Sequence, residues 1–401
     1  MTNRIGAGQR RARLVTRQHL AGGAASPEAV AESLVALHAT DPATVHLAVA
    51  ARSGLPVAET ERALYHDRSL VRMLGMRRTM FVVPADLVPA VQAACADDIA
   101  KRQRKLLVEH LGTAGLEVDV GGWLAEVEEG AYAAVKALGT AQAAEVADAE
   151  PRLRTRILMA AGKPYEASVY ITSRVLLLLA AQGRIVRGRP RGSWLSTQYA
   201  WATAETWLPG GFSRQGADSA RIGLARRWLA AFGPAPVADL KWWTGWSAAQ
   251  LRTTLTAVAP AEVDLDGTPG VALPGDLEPV PEPEPVAALL PALDPTPMGW
   301  RDRSWFLGGP EGGSGGESPG GYEAALFDRS GNIGPTVWWA GRVVGAWAQR
   351  AGGELAYRLF EDVGRDAAAA IEVAAARLSD WLGEVRVTPK FRTPAEKELS
   401  S

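Results

Sequence analysis

The chain has 401 residues, 47% hydrophobic and 22% charged, which excludes a disordered protein and leaves room for roughly two to four folding units. Its formal net charge of -1 excludes a uniformly basic nucleic-acid binder, so any phosphate-binding surface must come from local segregation of charge. One cysteine, Cys95, and five histidines without paired ligand spacing exclude a disulfide framework and argue against a metal site. Neither metal nor cofactor is expected. No apolar run approaches membrane-spanning length, and the basic N-terminus lacks the apolar core of a signal peptide. The expectation is a monomeric cytoplasmic protein with no membrane partner.

Residues 8–20 (GQRRARLVTRQHL) read as a first helix carrying Arg10, Arg11, Arg13 and Arg17. The stretch 26–42 (SPEAVAESLVALHATDP) follows. Ser26 suits the cap of a helix, Pro27 its first turn and Glu28 the positive end of its dipole. Val30, Leu34, Val35 and Leu37 supply an apolar face at helical spacing. Where that face should continue, the chain places His38, Thr40 and Asp41, and Pro42 ends the run. An imidazole, a hydroxyl and a carboxylate at a helix terminus either orient a water molecule or form a capping cluster. A lone histidine is more often a packed or capping residue than a catalyst.

Short helices are predicted over 44–52 and 59–65. In 70–83 (LVRMLGMRRTMFVV) two apolar strands flank Gly75 and the triplet Arg77–Arg78–Thr79, which predicts a hairpin. A long helical pattern then runs over 85–111 and carries KRQRK at 101–105.

An internal echo organises the middle of the chain. LGTAQAAEV at 138–146 and FGPAPVADL at 232–240 share one pattern, 94 residues apart. In each, a helix ends at Gly, the chain restarts, and a short second helix begins, as at the start of a helix-turn-helix. Helices over 172–182 and 247–258 follow, with strands and wings over 184–189 and 262–273. The first segment fits the same scheme more loosely. A Pro-rich acidic linker at 274–286 leads to strands over 286–290, 304–307, 323–327, 336–340, 342–348 and 355–359. A flexible loop at 308–321, a tight hairpin at 340–342, a helix over 366–382 and a short final strand complete the expectation. The predicted fold class is α+β: three tandem winged-helix units (1–115, 116–215, 216–275) and a small C-terminal antiparallel β-barrel-like domain (276–401).

Charge marks the surfaces. Residues 152–191 hold nine Lys or Arg against one acidic residue, whereas 261–287 hold seven acidic residues and no basic ones. A winged helix binds duplex DNA through one helix and its wing, and such a module needs phosphate-binding charge. The candidate DNA contacts are Arg77, Arg78 and Thr79 at the hairpin tip, Arg154, Arg156, Arg174, Arg187, Arg189 and Arg191 in the basic segment, and Arg102, Arg104 and Lys105 on the long helix. The last three read equally well as a solvated helix face. Trp242, Trp243 and Trp246 read as core, with base stacking as the alternative, and Asp294, Arg301, Asp302 and Arg303 as groups that pin a loop by ion pairs or, as the alternative, present it to DNA.

Several stretches carry a family likeness: ATDP, LGMRRTMFVVPADL, KPYEASVYITSRVLLLLAAQGRIVRGRPRGSWLSTQYAWA, DLKWWTGWS, LLPALDPTPMGWRDRS and GNIGPTVWWAGRVVGAW. Together they resemble the AlkZ/YcaQ-like winged-helix DNA glycosylases, some of which protect producers of DNA-alkylating antibiotics. The resemblance implies a monofunctional glycosylase that excises alkylated, N7-substituted and possibly bulky purines from double-stranded DNA, in base-excision repair or genotoxin self-resistance. It places His38–Ala39–Thr40 where the family carries Gln–aliphatic–Gln or Gln–aliphatic–Asp, so both polar positions differ. On this reading His38 accepts the proton of a water held by Thr40, while Asp41 orients the imidazole or stabilises its cation. The alternative is a winged-helix DNA-binding or regulatory protein that has lost the chemistry.

Overall fold

The computed structural model describes residues 3–116, 119–160, 162–164, 166–307 and 320–401. One arrangement recurs three times along it: a helix, a short edge strand, further helices, then a hairpin whose returning strand pairs with that edge strand.

After β1 (Asn3–Arg4) and α1 (Ala7–Arg17), the first unit comprises α2 (Pro27–Ser33), β2 (Leu37–His38), α3 (Pro42–Ser53), α4 (Val57–Tyr65), β3 (Leu70–Leu74) and β4 (Met80–Pro84). Its sheet order is β2-β4-β3. Ser26 caps α2 by accepting from the Ala29 amide, as its sequence suggests. The helix stops four residues earlier than its apolar spacing predicts, because Val35 turns the chain at φ +63°. A β-branched residue rarely adopts that conformation, and here it converts the end of the expected helix into β2. His38 therefore lies on a strand, not at a helix terminus. A helical stretch follows, with α5 (Val88–Val91), a π-turn at Gln92–Ala96 and α6 (Asp97–Thr113).

The second unit runs through α7 (Val120–Leu138), β5 (Thr140–Ala141), α8 (Ala143–Ala149), the inserted hairpin β6 (Arg156–Met159) and β7 (Ala167–Tyr170), α9 (Thr172–Ala181), β8 (Ile185–Pro190), β9 (Tyr199–Thr203) and α10 (Ala204–Trp207). Its order is β5-β9-β8. The third comprises α11 (Ala217–Phe232), α12 (Val237–Thr244), α13 (Ala248–Val258), β10 (Ala261–Leu265) and β11 (Thr268–Ala272). Here a single bridge from Ala235 to Val271 replaces the edge strand, and β1 pairs in parallel with β10. The echo at 138–146 and 232–240 thus marks equivalent helix-to-strand corners.

The last region contains β12 (Ala287–Leu290), α14 (Ser304–Leu307), α15 (Gly320–Leu326), β13 (Thr336–Trp339), β14 (Arg342–Gln349), β15 (Leu355–Leu359), α16 (Arg365–Leu382) and α17 (Pro394–Leu399). Three expectations are corrected here. The sheet is open, in the order β12-β13-β14-β15, and no closed barrel forms among the described residues. The strands expected at 304–307 and 323–327 are helical. The chain ends in a helix, not a strand. Trp305 and Phe306 fold into a helical turn because they complete an aromatic core running through Phe232, Trp300 and Trp338. Most of the loop expected at 308–321 lies outside the described residues. The hairpin at 340–342 forms, with Ala340 and Gly341 both at positive φ.

One buried ion pair ties the first unit to this region. The Arg52 guanidinium, at the end of α3, donates two hydrogen bonds to Asp294, at 2.9 and 2.7 Å, and a third to the Thr296 hydroxyl. Both side chains of the pair are fully buried. The structural role expected of Asp294 is therefore filled by a partner 242 residues away.

Candidate active site and nucleic-acid interface

β2 pairs with β4 in antiparallel register, Leu37 opposite Val82 and His38 opposite Phe81. The Ala39 amide extends the ladder by donating to Met80 at 2.8 Å. Ala39 joins the core with Leu37 and Val82; β2 ends at His38, and Thr40 lies in the bend that leads to α3. His38 is 5% exposed and stands edge-on to Phe81, ring centres 5.5 Å apart. Thr40 is half-buried. Burial, and secondarily the positive charge of Arg77, push the His38 pKa down to about 3. The ring is neutral at any physiological pH, and its Nδ1 is buried without a hydrogen-bond partner.

Asp41 does something other than orient that ring. Its Oδ1 accepts from the Ala43 amide as the cap of α3, at 3.1 Å. Its Oδ2 accepts from the Lys390 amide at 2.8 Å. Both of its hydrogen bonds go to backbone amides, and none joins it to His38. The carboxylate closes the strand-to-helix corner that presents His38 and Thr40.

Sequence reasoning missed Arg72. It interrupts the apolar strand β3, is 3% exposed, and donates to the carbonyl of Ala39 at 3.1 Å. Its guanidinium stacks over Tyr199, 4.7 Å from the ring centre, and Arg187 approaches the same ring at 5.4 Å. A charge inside a run such as LVRML is the signal that could have found it. His46 was also passed over. It is buried against Trp194, and burial, then Arg72, hold its pKa down to about 3.

The arginines divide into two groups. At the tip between β3 and β4, Arg77 and Arg78 both take left-handed backbone, φ +52° and +61°, a conformation costing roughly 1–2 kcal/mol per residue. The strain sends the two side chains different ways. Arg77 folds back over Trp242, 3.8 Å from the ring centre. Arg78 reaches α6 and donates to Gln103 at 3.1 Å. Thr79 is half-buried, its amide closing the turn onto Met76. Arg102 lines the same small cleft as Arg77, and Lys105 is exposed one turn on. Arg174, on α9, lies close enough to Arg78 that burial and that like charge both lower its pKa. Arg77, Arg78, Arg102 and Arg174, from three segments, thus lie near one another, and Arg77 is close enough to His38 to act on its ring.

The others are engaged elsewhere. Arg104 pairs with Glu128 at 3.0 Å, Arg154 with Asp148, and Arg189 with Glu61 at 3.1 Å. Arg156 stacks on Tyr170. Arg191 is exposed at the start of the loop between β8 and β9. That loop is docked: Trp194 packs between His46 and Trp381, so its tip faces α3 and α16.

A family model described as AlkZ-like DNA glycosylase matches residues 31–381. The chain belongs to the AlkZ-like DNA glycosylase family. No curated protein matches it. Among solved structures it is similar to the Streptomyces sahachiroi DNA glycosylase AlkZ, with a TM-score of 0.71 and 21% identity, over 96% of this chain and 98% of that one. Membership in the AlkZ-like family makes DNA the partner toward which these cationic groups are to be read. Among the described residues, no three His, Cys, Asp or Glu side chains cluster to hold a metal, and no helix is long and apolar enough to cross a membrane.

Proposed function

We propose that this chain is a monofunctional glycosylase that hydrolyses the N-glycosidic bond of N7-alkylated, possibly bulky, purines in duplex DNA, with His38 and Thr40 holding the attacking water. The cellular role that fits is base-excision repair or self-resistance to an alkylating genotoxin, exercised by a cytoplasmic monomer. Each helix–strand–helix–hairpin repeat is read as a winged-helix unit.

The supporting observation is the corner between β2 and α3: a neutral imidazole with an unpartnered ring nitrogen at the end of the strand, a half-buried Thr40 hydroxyl two residues on, and Arg77 close enough to act on the imidazole. Alkylation at N7 leaves the purine positively charged, so the base departs with little acid help. The sugar becomes oxocarbenium-like and needs a water held beside its anomeric carbon. Neutral imidazole is a hydrogen-bond acceptor and donor. With its pKa near 3, it is too weak a base to take the water's proton before the glycosidic bond opens. It holds the water by a hydrogen bond, and the proton that the water sheds as the new C–O bond forms passes to solvent.

The test is direct. DNA bearing N7-alkylguanine is incubated with wild-type and His38→Ala protein, and abasic sites are revealed with alkali. Breakage should fall about 100-fold or more in the variant. Equal breakage removes His38 from the mechanism, and no breakage by wild type across a broad adduct panel removes the activity. The second reading, a DNA-binding protein without chemistry, draws on the replacement of both motif residues. It predicts lesion-preferring binding with no product.

A further inference from the structure

Trp242, on α12, carries an arginine from each of two other segments. Arg77, from the strained turn between β3 and β4, lies 3.8 Å from its ring centre, and Arg303, from the loop before α14, lies 5.4 Å away. Neither guanidinium forms an ion pair with a carboxylate among the described residues. The Arg77 Nε is buried with no partner. Arg303 Nε donates to the Pro297 carbonyl at 3.2 Å, its Nη2 approaches Met298 Sδ at 4.0 Å, and its guanidinium also lies 4.5 Å from the Phe327 ring centre. Asp239 and Glu323 influence Arg303 from a distance, and Arg303 in turn depresses the Arg77 pKa, after burial. Two cations held against one indole without a counter-ion repel each other, and a protein keeps such an arrangement when an anion completes it.

The arrangement is also prebuilt. Asp239, on the same helix as Trp242, accepts from the backbone amides of Arg301 and Asp302, at 3.0 and 3.1 Å, and so fixes the loop that carries Arg303. Gly245, which ends α12 at φ +73°, lies against the Arg77 turn. A Cβ there would sit 3.3 Å from Arg77 Cγ and 3.4 Å from its amide nitrogen. Only glycine combines that backbone with so close an approach. Arg77, Trp242 and Arg303 are all half-buried, so each keeps some surface for a ligand.

We infer that Arg77, Trp242 and Arg303 form a clamp for one phosphodiester of the DNA strand, beside the nucleotide presented to His38. The inference rests on the glycosylase reading for its ligand but not for its chemistry. It assigns Arg303 and Trp242, for which the sequence favours loop-pinning and core packing, to DNA binding.

The experiment measures the affinity of the full chain for an undamaged duplex over a salt titration. The variants are wild type, Arg303→Gln, Arg303→Lys and Arg77→Gln/Arg303→Gln. Each neutralised phosphate contributes about 0.9 to the slope of log affinity against log salt. The clamp neutralises one phosphate, so the double variant should lower that slope by about 0.9 and Arg303→Gln, which leaves Arg77 in place, by part of that. Arg303→Lys should keep the slope while weakening affinity, because an ammonium retains the charge but not the planar stack. Melting curves identify any variant that fails to fold, and Arg303→Lys then decides. A slope unchanged in folded Arg303→Gln, or an affinity unchanged in Arg303→Lys, overturns the clamp. A wild-type chain that binds duplex but excises no base leaves the clamp standing and overturns only the glycosylase. A wild-type chain that binds no duplex overturns both.

Discussion

The first and third units share a plan and use it in opposite ways. At the corner where the first unit places His38 and Thr40, the third unit has Ala235, bridged to Val271, and the second has Thr140–Ala141. Where the first hairpin turns through Arg77 and Arg78, the third turns through Asp266–Gly267 and carries Glu262 and Asp264 on β10. The acidic turn is spent internally. Asp266 accepts from Arg4 at 3.1 Å and from the Ala7 amide at 2.8 Å, anchoring the N-terminus that contributes β1. The same backbone therefore makes a strut in one place and a cationic turn in another. Function sits in residues grafted onto the repeat, not in the repeat.

The two anchors offer the largest contrast. Arg52→Met leaves Asp294 as an unpaired buried charge and should destabilise the fold by about 3–5 kcal/mol, measured by urea unfolding. A loss below about 1 kcal/mol would place that pair with ordinary surface ion pairs. The exposed Arg4–Asp266 pair should contribute at most about 1 kcal/mol by the same measurement. A larger loss in Asp266→Asn would mean that its hold on the Ala7 amide is the main term.

Acid should act on the first unit. His38 and His46 have folded-state pKa values near 3 against 6.5 for the exposed ring. The unfolded chain therefore takes up protons that the folded chain refuses. The stability these rings contribute is complete above pH 6.5 and is lost as pH falls toward 3. Between pH 6 and 5 the loss approaches about 1.4 kcal/mol per pH unit for each ring. Replacing both by Gln should flatten the stability curve in that interval, and a curve of unchanged slope would mean that both rings keep their ordinary pKa in the fold.

The smallest effect concerns charge on the two hairpins. Arg78→Gln should lower the salt slope of DNA binding by about 0.9, whereas Asp266→Asn should leave it unchanged. Equal effects would erase the functional difference between the hairpins.

Much of this plan was legible in the sequence, because it is written in local signals. The Gly-marked corners at 139 and 233 and the β3–β4 hairpin need only neighbours to be read. What stayed hidden depends on partners far along the chain. Nothing near Asp41 announces that Lys390 takes its second oxygen, and nothing near Arg52 names Asp294. Val35 in left-handed backbone runs against its own preference, so apolar spacing extended α2 through residues that form β2. The strands expected at 304–307 and 323–327 failed for a related reason: short apolar runs carry no period long enough to tell strand from helix. For Arg303 the sequence leaves a loop pin and a group facing DNA both open; what it does not show is that Asp239 accepts from the loop amides of Arg301 and Asp302.

The central claim is that His38 acts as a neutral holder of water, and one comparison tests it: single-turnover excision of an N7-alkylguanine by wild-type, His38→Gln and His38→Ala protein. Glutamine is also neutral, donates and accepts hydrogen bonds, and never titrates. The account predicts that His38→Gln keeps a rate within about 10-fold of wild type while His38→Ala loses about 100-fold or more. A His38→Gln variant as slow as His38→Ala would contradict it.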